Sequence, residues 1–411
     1  MLFVYRFFIN LIFVFSPLIF FFRLINKKET FKSFKEKVGL FRKKRTKGKL
    51  IWFHGASVGE LQSIIPLIEK FDKEITITQI LITSNTLSST KIIEKLKFKK
   101  VIHQFFPIDN NFISQKFINH WCPNKVFFID SEIWPNMLLN LRNKNIETIL
   151  LNGRITKKTF NRWKFFSNFS KEIFSCFNLC LASSRQSYLF LKTLGTKNLK
   201  LIGNLKYSQS DTKIINLNNK LKNFIKNKKV WCASSTHDLE EVICGKIHIR
   251  LKKRIKNLLT IIIPRHIERC EKIEKDLCKL GLKVHAENST NSILSKTDIY
   301  LVNSYGKTKS FFSICNKVFL GGSLVNHGGQ NPLEAARLGC NILNGPHIQN
   351  FTEIYEFLEK LKISNKIKNQ DHLYNKLISL FIKKKGVNKL NQQLKVIGQN
   401  ILKKTYKEIK L

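Results

Sequence analysis

Short apolar runs alternate with helix-period stretches along most of this chain. Leu50-Ile51-Trp52-Phe53 is wholly apolar and reads as a buried strand. Leu61, Ile64, Ile65 and Ile68 follow at i, i+3, i+4 and i+7, one face of a helix. Ile77–Ile82, Val126–Ile129, Ile149–Leu151 and Leu179–Leu181 continue the strand series. A second series begins with Val230-Trp231-Cys232-Ala233 and runs through Leu259–Ile263, Ile299–Val302, Val318–Leu320 and Asn341–Leu343. Strands that alternate with helices predict parallel sheets covered by helices on both faces. A polar stretch rich in Asn and Lys at 206–225 separates the two series and divides a domain at 49–210 from one at 211–411. No internal repeat is visible, and the stretch after residue 371 reads as basic helix.

The N-terminus has a different pattern. Phe7–Phe22 is apolar except for Asn10, Ser16 and Pro17. Sixteen helical residues span about 24 Å, short of a hydrocarbon core of about 30 Å. Arg6 and Arg23 flank the run, Lys27 and Lys28 follow, and no small-x-small cleavage site comes after it. Residues 1–26 therefore read as an uncleaved membrane anchor, spanning or half-inserted, with a basic connector at 27–48. The positive charges place the remaining chain on the cytoplasmic side of the membrane.

With 411 residues, 43% of them hydrophobic, there is room for two or three domains with cores of their own. The formal charge of +44 is extreme but dispersed, with only short runs such as Lys43-Lys44-Arg45 and Lys383-Lys384-Lys385. One reading is a solvated surface under a bias towards Lys, Asn, Ile and Phe. The other is attraction to an anionic membrane or to nucleic acid. No zinc finger or RNA-recognition aromatic motif is present, so nucleic acid is not expected as a partner. Nine scattered cysteines form no CxxC pair, which points to reduced thiols rather than a disulfide frame or a zinc site.

The chemistry concentrates in Gly-rich loops between strands and helices. One is His54-Gly55-Ala56-Ser57-Val58-Gly59-Glu60. Another is Gly321-Gly322-Ser323, followed by Gly328-Gly329-Gln330-Asn331-Pro332-Leu333-Glu334. Glycine lets the backbone approach a ligand, and a helix N-terminus offers free N–H groups to an anion. Two such devices imply two α/β domains serving one phosphate-bearing donor. Glu60 fits two roles. It is a candidate general base, and with Ser57 it also fits a capping box, where the helix end would lower its pKa. Glu132 follows the strand ending near Ile129, where α/β sheets place ligand groups, or is a surface acid before Pro135. Arg154 offers a planar fork to a phosphate or sugar carboxylate, or makes a surface salt bridge. Ser235 and Thr236 hold the donor's anionic groups or cap a helix. Arg265 is a natural phosphate partner beside His266. Asn331, Pro332 and Glu334 read as cap, N1 and N3 of a helix.

Several segments together resemble the Kdo (3-deoxy-D-manno-octulosonic acid) transferases of lipopolysaccharide synthesis. They are 54–60, Ser131-Glu132-Ile133-Trp134-Pro135-Asn136, Asn152-Gly153-Arg154, Gly203-Asn204-Leu205-Lys206, Ser235-Thr236-His237 through Glu240-Glu241, Pro264-Arg265-His266, Gly321 to Glu334, and Gly345-Pro346-His347 to Asn350-Phe351. They occur in the family's order. The resemblance implies a GT-B fold, two Rossmann-like domains with a cleft between them, and an N-terminal membrane anchor. It implies CMP-Kdo as donor, a lipid A precursor (lipid IVA) as acceptor, and contact with inner-membrane lipids. Glu60 would be the base of an inverting transfer, with Ser57, Gly59, Glu132 and Arg154 on the acceptor side. Ser235, Thr236, Arg265, His266, Gly321, Gly322, Ser323, Asn331 and Glu334 would bind the donor, the last through the ribose hydroxyls. No metal and no cofactor is implied. Two positions depart from the family: Gln330 replaces a common His, and Lys307 replaces a common Glu. They keep open a degenerate lipid A-binding membrane protein. A related transferase using a UDP-sugar is the other alternative.

Overall fold

Two seven-stranded parallel sheets carry the chain, in a computed structural model that describes all residues except 97, 210–215, 288, 290–295, 383–387 and 411. The first sheet comprises β1 (Lys49–His54), β2 (Ile77–Ser84), β3 (Val101–Phe105), β4 (Lys125–Ile129), β5 (Glu147–Gly153), β6 (Leu179–Ala182) and β7 (Leu199–Leu201). Their spatial order is β3-β2-β1-β4-β5-β6-β7. Trp52 of β1 pairs with Leu81 on one side and Val126 on the other. The connections therefore diverge at β1 and β4, and the loops leaving those two strands share one crevice at the sheet's C-terminal edge.

Alternate residues of each strand serve opposite faces. Leu50, Trp52, Val126, Phe128 and Leu150 join one core with Phe117, Trp121 and Leu138. Ile51, Phe53, Phe127, Ile129 and Ile149 join the other with Leu61, Ile64 and Ile68 of helix Val58–Asp72. Both faces being covered explains why these strands are continuously apolar.

The second unit repeats the plan with β8 (Lys229–Thr236), β9 (Leu258–Pro264), β10 (Val284–Ala286), β11 (Ile299–Leu301), β12 (Lys317–Leu320), β13 (Asn341–Asn344) and β14 (Ser364–Lys366). The order is β10-β11-β9-β8-β12-β13-β14. Here the crevice opens between β8 and β12.

The chain divides into Met1–Ser210 with Ile397–Leu411, and Asp211–Val396. The expected assignment of all C-terminal helices to the second domain is thus corrected. Ile401 and Ile409 belong to the first unit's core, and the Lys125 ammonium donates to the Ile409 carbonyl at 3.4 Å. Gly398 lies so close to Tyr207 that a Cβ would come 2.2 Å from its carbonyl oxygen. The basic run Lys383-Lys384-Lys385 and the boundary at 210/211 lie outside the described residues.

The N-terminal run also differs from expectation. It forms two helices, Leu2–Val14 and Ser16–Ile25, bent by 53°. Pro17 lacks an N–H and breaks the ladder at the junction. Among the described residues no single helix is long and apolar enough to cross a membrane. Polar bonds tie the first helix to the domain. Tyr5 donates to Asp109 at 2.7 Å, and Arg6 donates to Asn136 at 2.9 Å and to Asn111 at 3.2 Å. Phe7, Phe8, Phe21 and Phe22 stay exposed.

Candidate active site

In the first unit, β1 ends at His54 and the chain turns through Gly55 into helix Val58–Asp72. Ser57 is the N-cap, accepting the Glu60 N–H at 3.4 Å. Its hydroxyl donates to Glu60 Oε1 at 2.8 Å, and Glu60 Oε2 accepts the Ala56 N–H at 2.7 Å. The carboxylate thus reaches one residue beyond a standard capping box. A Cβ at the exposed Gly59 would meet nothing within 4 Å, so this glycine leaves open space beside Glu60.

The expected lowering of the Glu60 pKa by the helix end is overturned. Burial, followed by the negative charges of Asp130 and Glu132, pushes its carboxyl up to about 7, against the bonds from Ser57 and Ala56. Those charges come from the loop after β4. Asp130, at φ 57°, accepts the Lys206 ammonium at 2.8 Å and a bond from the Asn152 amide. The backbone N–H of Arg154 donates to the Asp130 carbonyl at 3.0 Å. Glu132 is no surface acid: its side chain is 13% exposed. Burial would raise its pKa, but bonds from His54 and Trp134 and the charge on His54 hold it below the usual carboxylate range. The His54 ring, fully buried, is fixed on its other side by Thr83 Oγ1 at 2.9 Å. Ser57, Gly59, Glu60, Glu132 and Arg154 therefore gather at the C-terminal ends of β1, β4 and β5.

In the second unit, β8 ends in a bulge where Ser235 takes φ 56°. Ser235 and Thr236 cap no helix: the next one begins at Glu240, after Leu239 at φ 74°. Thr236 is fully buried with its hydroxyl unpartnered, while its carbonyl accepts the Arg265 N–H at 3.0 Å. Arg265 and His266 are exposed. The His237 ring stacks on His327 at 4.2 Å and meets His266 edge-on at 6.0 Å. Burial, then the neighbouring His327, His266, Arg265 and Arg269, depress the His237 pKa to about 4. Gln330 Nε2 donates to His237 Nε2 at 3.3 Å, which leaves the proton of the neutral ring on Nδ1. The result is a cationic, donor-rich surface suited to phosphate and carboxylate groups.

The resemblance brings Gly321, Gly322 and Ser323 to the donor phosphate; their amides are bonded within the protein, that of Gly321 to the Ser234 carbonyl at 2.9 Å. The N–H groups of Gly322, Ser323 and Leu324 donate to Glu240 at 2.7, 3.2 and 3.0 Å. A Cβ at Gly321 would lie 2.6 Å from the Ser235 carbonyl oxygen, so protein packing requires this glycine. The Ser323 hydroxyl is buried, bonded to Leu320 O and the Gly345 N–H. The expected helix start shifts by one residue: Pro332 is the cap position of Leu333–Arg337, and the Asn331 side chain accepts the Leu333 N–H at 3.1 Å. Glu334 is partly exposed and pairs with Lys309 at 3.4 Å. Lys307 pairs with Glu287 at 2.7 Å.

The residue pattern alone gives no role to His54, Asp130, Lys206, His237, Glu240 or His327. Most lie inside the quoted motifs, but only the fold shows which carboxylates and imidazoles meet. All nine cysteines are free thiols, seven of them buried.

Residues 32–209 match the family model described as 3-Deoxy-D-manno-octulosonic-acid transferase (kdotransferase). The chain is 33% identical over 364 residues to the 3-deoxy-D-manno-octulosonic acid transferase of Rickettsia bellii (strain RML369-C), covering 87% of this chain and 86% of that one. Identity to the same-named protein of Haemophilus influenzae (strain ATCC 51907 / DSM 11121 / KW20 / Rd) is 30% over 317 residues, covering 76% and 74%. Among solved structures, UDP-GlcNAc 2-epimerase from Neisseria meningitidis bound to UDP-GlcNAc is similar with a TM-score of 0.56 at 12% identity, covering 86% of this chain and all of that one. That likeness shows the fold alone, two parallel-sheet α/β domains.

Proposed function

The chain belongs to the 3-deoxy-D-manno-octulosonic acid transferase family, and we propose that it moves Kdo from CMP-Kdo to lipid IVA, a lipid A precursor, in lipopolysaccharide synthesis. It is a glycosyltransferase. The observation that carries the mechanism is Glu60, a carboxylate at the end of β1 with a pKa near 7. A base poised near the working pH combines a useful ionised fraction with real proton affinity. Glu60 takes the proton of the acceptor hydroxyl as that oxygen bonds to the anomeric carbon of Kdo. The bond from that carbon to the CMP phosphate oxygen breaks, its electron pair leaves with CMP, and the anomeric configuration inverts.

The second unit binds the donor. Arg265 supplies charge, and His266, His327 and His237 supply hydrogen bonds, for the phosphate and the Kdo carboxylate, and Glu334 accepts from ribose hydroxyls. The first unit receives the acceptor, with Arg154 as a partner for its anionic groups. The exposed aromatic residues of the two N-terminal helices support attachment to the cytoplasmic face of the inner membrane. The basic connector favours its anionic lipids.

The test is transfer from CMP-Kdo to lipid IVA by purified full-length protein, read as mass added to the lipid, with Glu60→Ala as control. Product from wild type alone supports the reading. Transfer at the wild-type rate by folded Glu60→Ala removes Glu60 as the base. A folded wild type that binds UDP but not CMP points to a UDP-sugar donor, and lipid binding without turnover points to a degenerate binding protein.

A further inference from the structure

Glu240 is fully buried at the start of helix Glu240–Lys252, which no side chain caps. Its Oε2 accepts the N–H groups of His237 at 3.0 Å and Gly322 at 2.7 Å. Its Oε1 accepts those of Ser323 at 3.2 Å and Leu324 at 3.0 Å. Four donors converge on one group, the arrangement that a Gly-rich turn offers to a phosphate. Here the anion belongs to the protein. Burial raises the Glu240 pKa against these bonds. Yet all four contacts are donors, and a protonated oxygen would point its hydrogen at another hydrogen, so the ionised form fits the geometry.

The four amides come from two segments, one following β8 and one following β12. The first carries His237. The second leads to His327 and Gln330, and the Gly329 N–H returns to the Gly322 carbonyl at 2.8 Å. Gly321 makes room for the carboxylate: a Cβ there would lie 2.7 Å from its Oε2.

We propose that Glu240 is a positioning residue of the donor site: its carboxylate fills the Gly321–Leu324 turn as an internal anion and sets His237 against His327 and Gln330. This rests on the donor reading above and deepens it. The opposite role is a competitor, with the donor phosphate displacing the carboxylate from the same amides. Complete burial and four simultaneous bonds favour the brace.

The experiment uses the full chain. Amide resonances of His237, Gly322, Ser323 and Leu324 are followed in wild type with and without CMP. In wild type these amides are protected from exchange, and CMP leaves them so. Loss of protection on adding CMP would overturn the proposal. Folded Glu240→Gln loses the protection, binds CMP about tenfold more weakly, the loss of one charge-assisted bond, and shows a raised KM for CMP-Kdo. Its KM for acceptor and its pH inflection stay those of wild type. Tighter CMP binding would make Glu240 a competitor, and unchanged affinity would make it merely structural; either result overturns the brace. Glu240→Asp keeps the charge on a shorter arm and gives the same reading where Glu240→Gln does not fold. A wild type that binds UDP instead of CMP overturns the donor assignment alone; the amide signals, repeated with UDP, then decide the brace.

Discussion

His54 donates from Nε2 to Oε2 of Glu132 across 3.1 Å, and the Trp134 N–H reaches the same oxygen at 2.9 Å. These bonds keep Glu132 ionised despite its burial. An ionised Glu132, together with Asp130 and with burial, holds the Glu60 proton more tightly. The buried imidazole therefore acts on the proposed base through a second carboxylate.

The pH dependence of transfer follows. Glu60 must be ionised to accept a proton, so kcat/KM rises about tenfold per pH unit below 7 and levels off above it. Glu132→Gln removes one negative neighbour and moves the inflection to lower pH. The check is kcat/KM between pH 5 and 9 for both proteins; an inflection shared by both would disconnect Glu132 from Glu60.

Glu60→Gln trades activity for stability. A carboxyl whose pKa is raised from 4.5 to about 7 binds more protons folded than unfolded between those values. Its stabilising effect is complete below pH 4.5 and is lost as pH rises towards 7. At pH 8 the ionised carboxylate is therefore a burden, and Gln removes it. Transfer falls by several orders of magnitude, while stability at pH 8 rises by about 1–2 kcal/mol. Urea denaturation at pH 5 and 8 reads this out: the gain appears at pH 8 and shrinks at pH 5.

The charge of Lys307 is balanced locally. Glu287, its side chain 8% exposed, takes the Lys307 ammonium at 2.7 Å and the Ser304 hydroxyl at 2.6 Å. Lys307→Met strips a buried carboxylate of its counter-charge and lowers stability by about 1–3 kcal/mol. Adding Glu287→Gln recovers much of that loss, and CMP affinity stays within about twofold throughout. Thermal melts with calorimetric titration of CMP test it; a large loss of CMP affinity in Lys307→Met would place this residue at the donor instead.

The proposed membrane attachment uses exposed aromatic residues as its apolar contact. Phe21 and Phe22 are each more than half exposed on the second N-terminal helix. Replacing both with Ser weakens binding to anionic phospholipid vesicles by about tenfold or more, because each buried Phe contributes about 1.5–3 kcal/mol. CMP binding is unchanged. Co-sedimentation measures the effect, and wild type that stays in the supernatant sinks the attachment.

The central strands were legible because both faces of each sheet are covered and the runs are purely apolar. β3 escaped because His103 and Gln104 are buried within it, which breaks the apolar run. β7 and β14 escaped because a three-residue edge strand carries almost no pattern. Motif order pointed to the site loops. It did not show that the Gly322 and Ser323 amides are taken by Glu240, or that Glu60 is pushed up rather than down. Those outcomes depend on contacts across a sheet crevice, between residues far apart in the chain.

Ile401 and Ile409 complete a core whose strands lie before residue 210. Strands made early on the ribosome thus wait for the helical segment from Ile397 to Ile409, which is made after Asp211–Val396. Until that helix emerges, the early strands keep an uncovered apolar strip, and the second unit has all its own segments first. Synthesis runs from the first unit to the second, but completion of the folded units runs the other way.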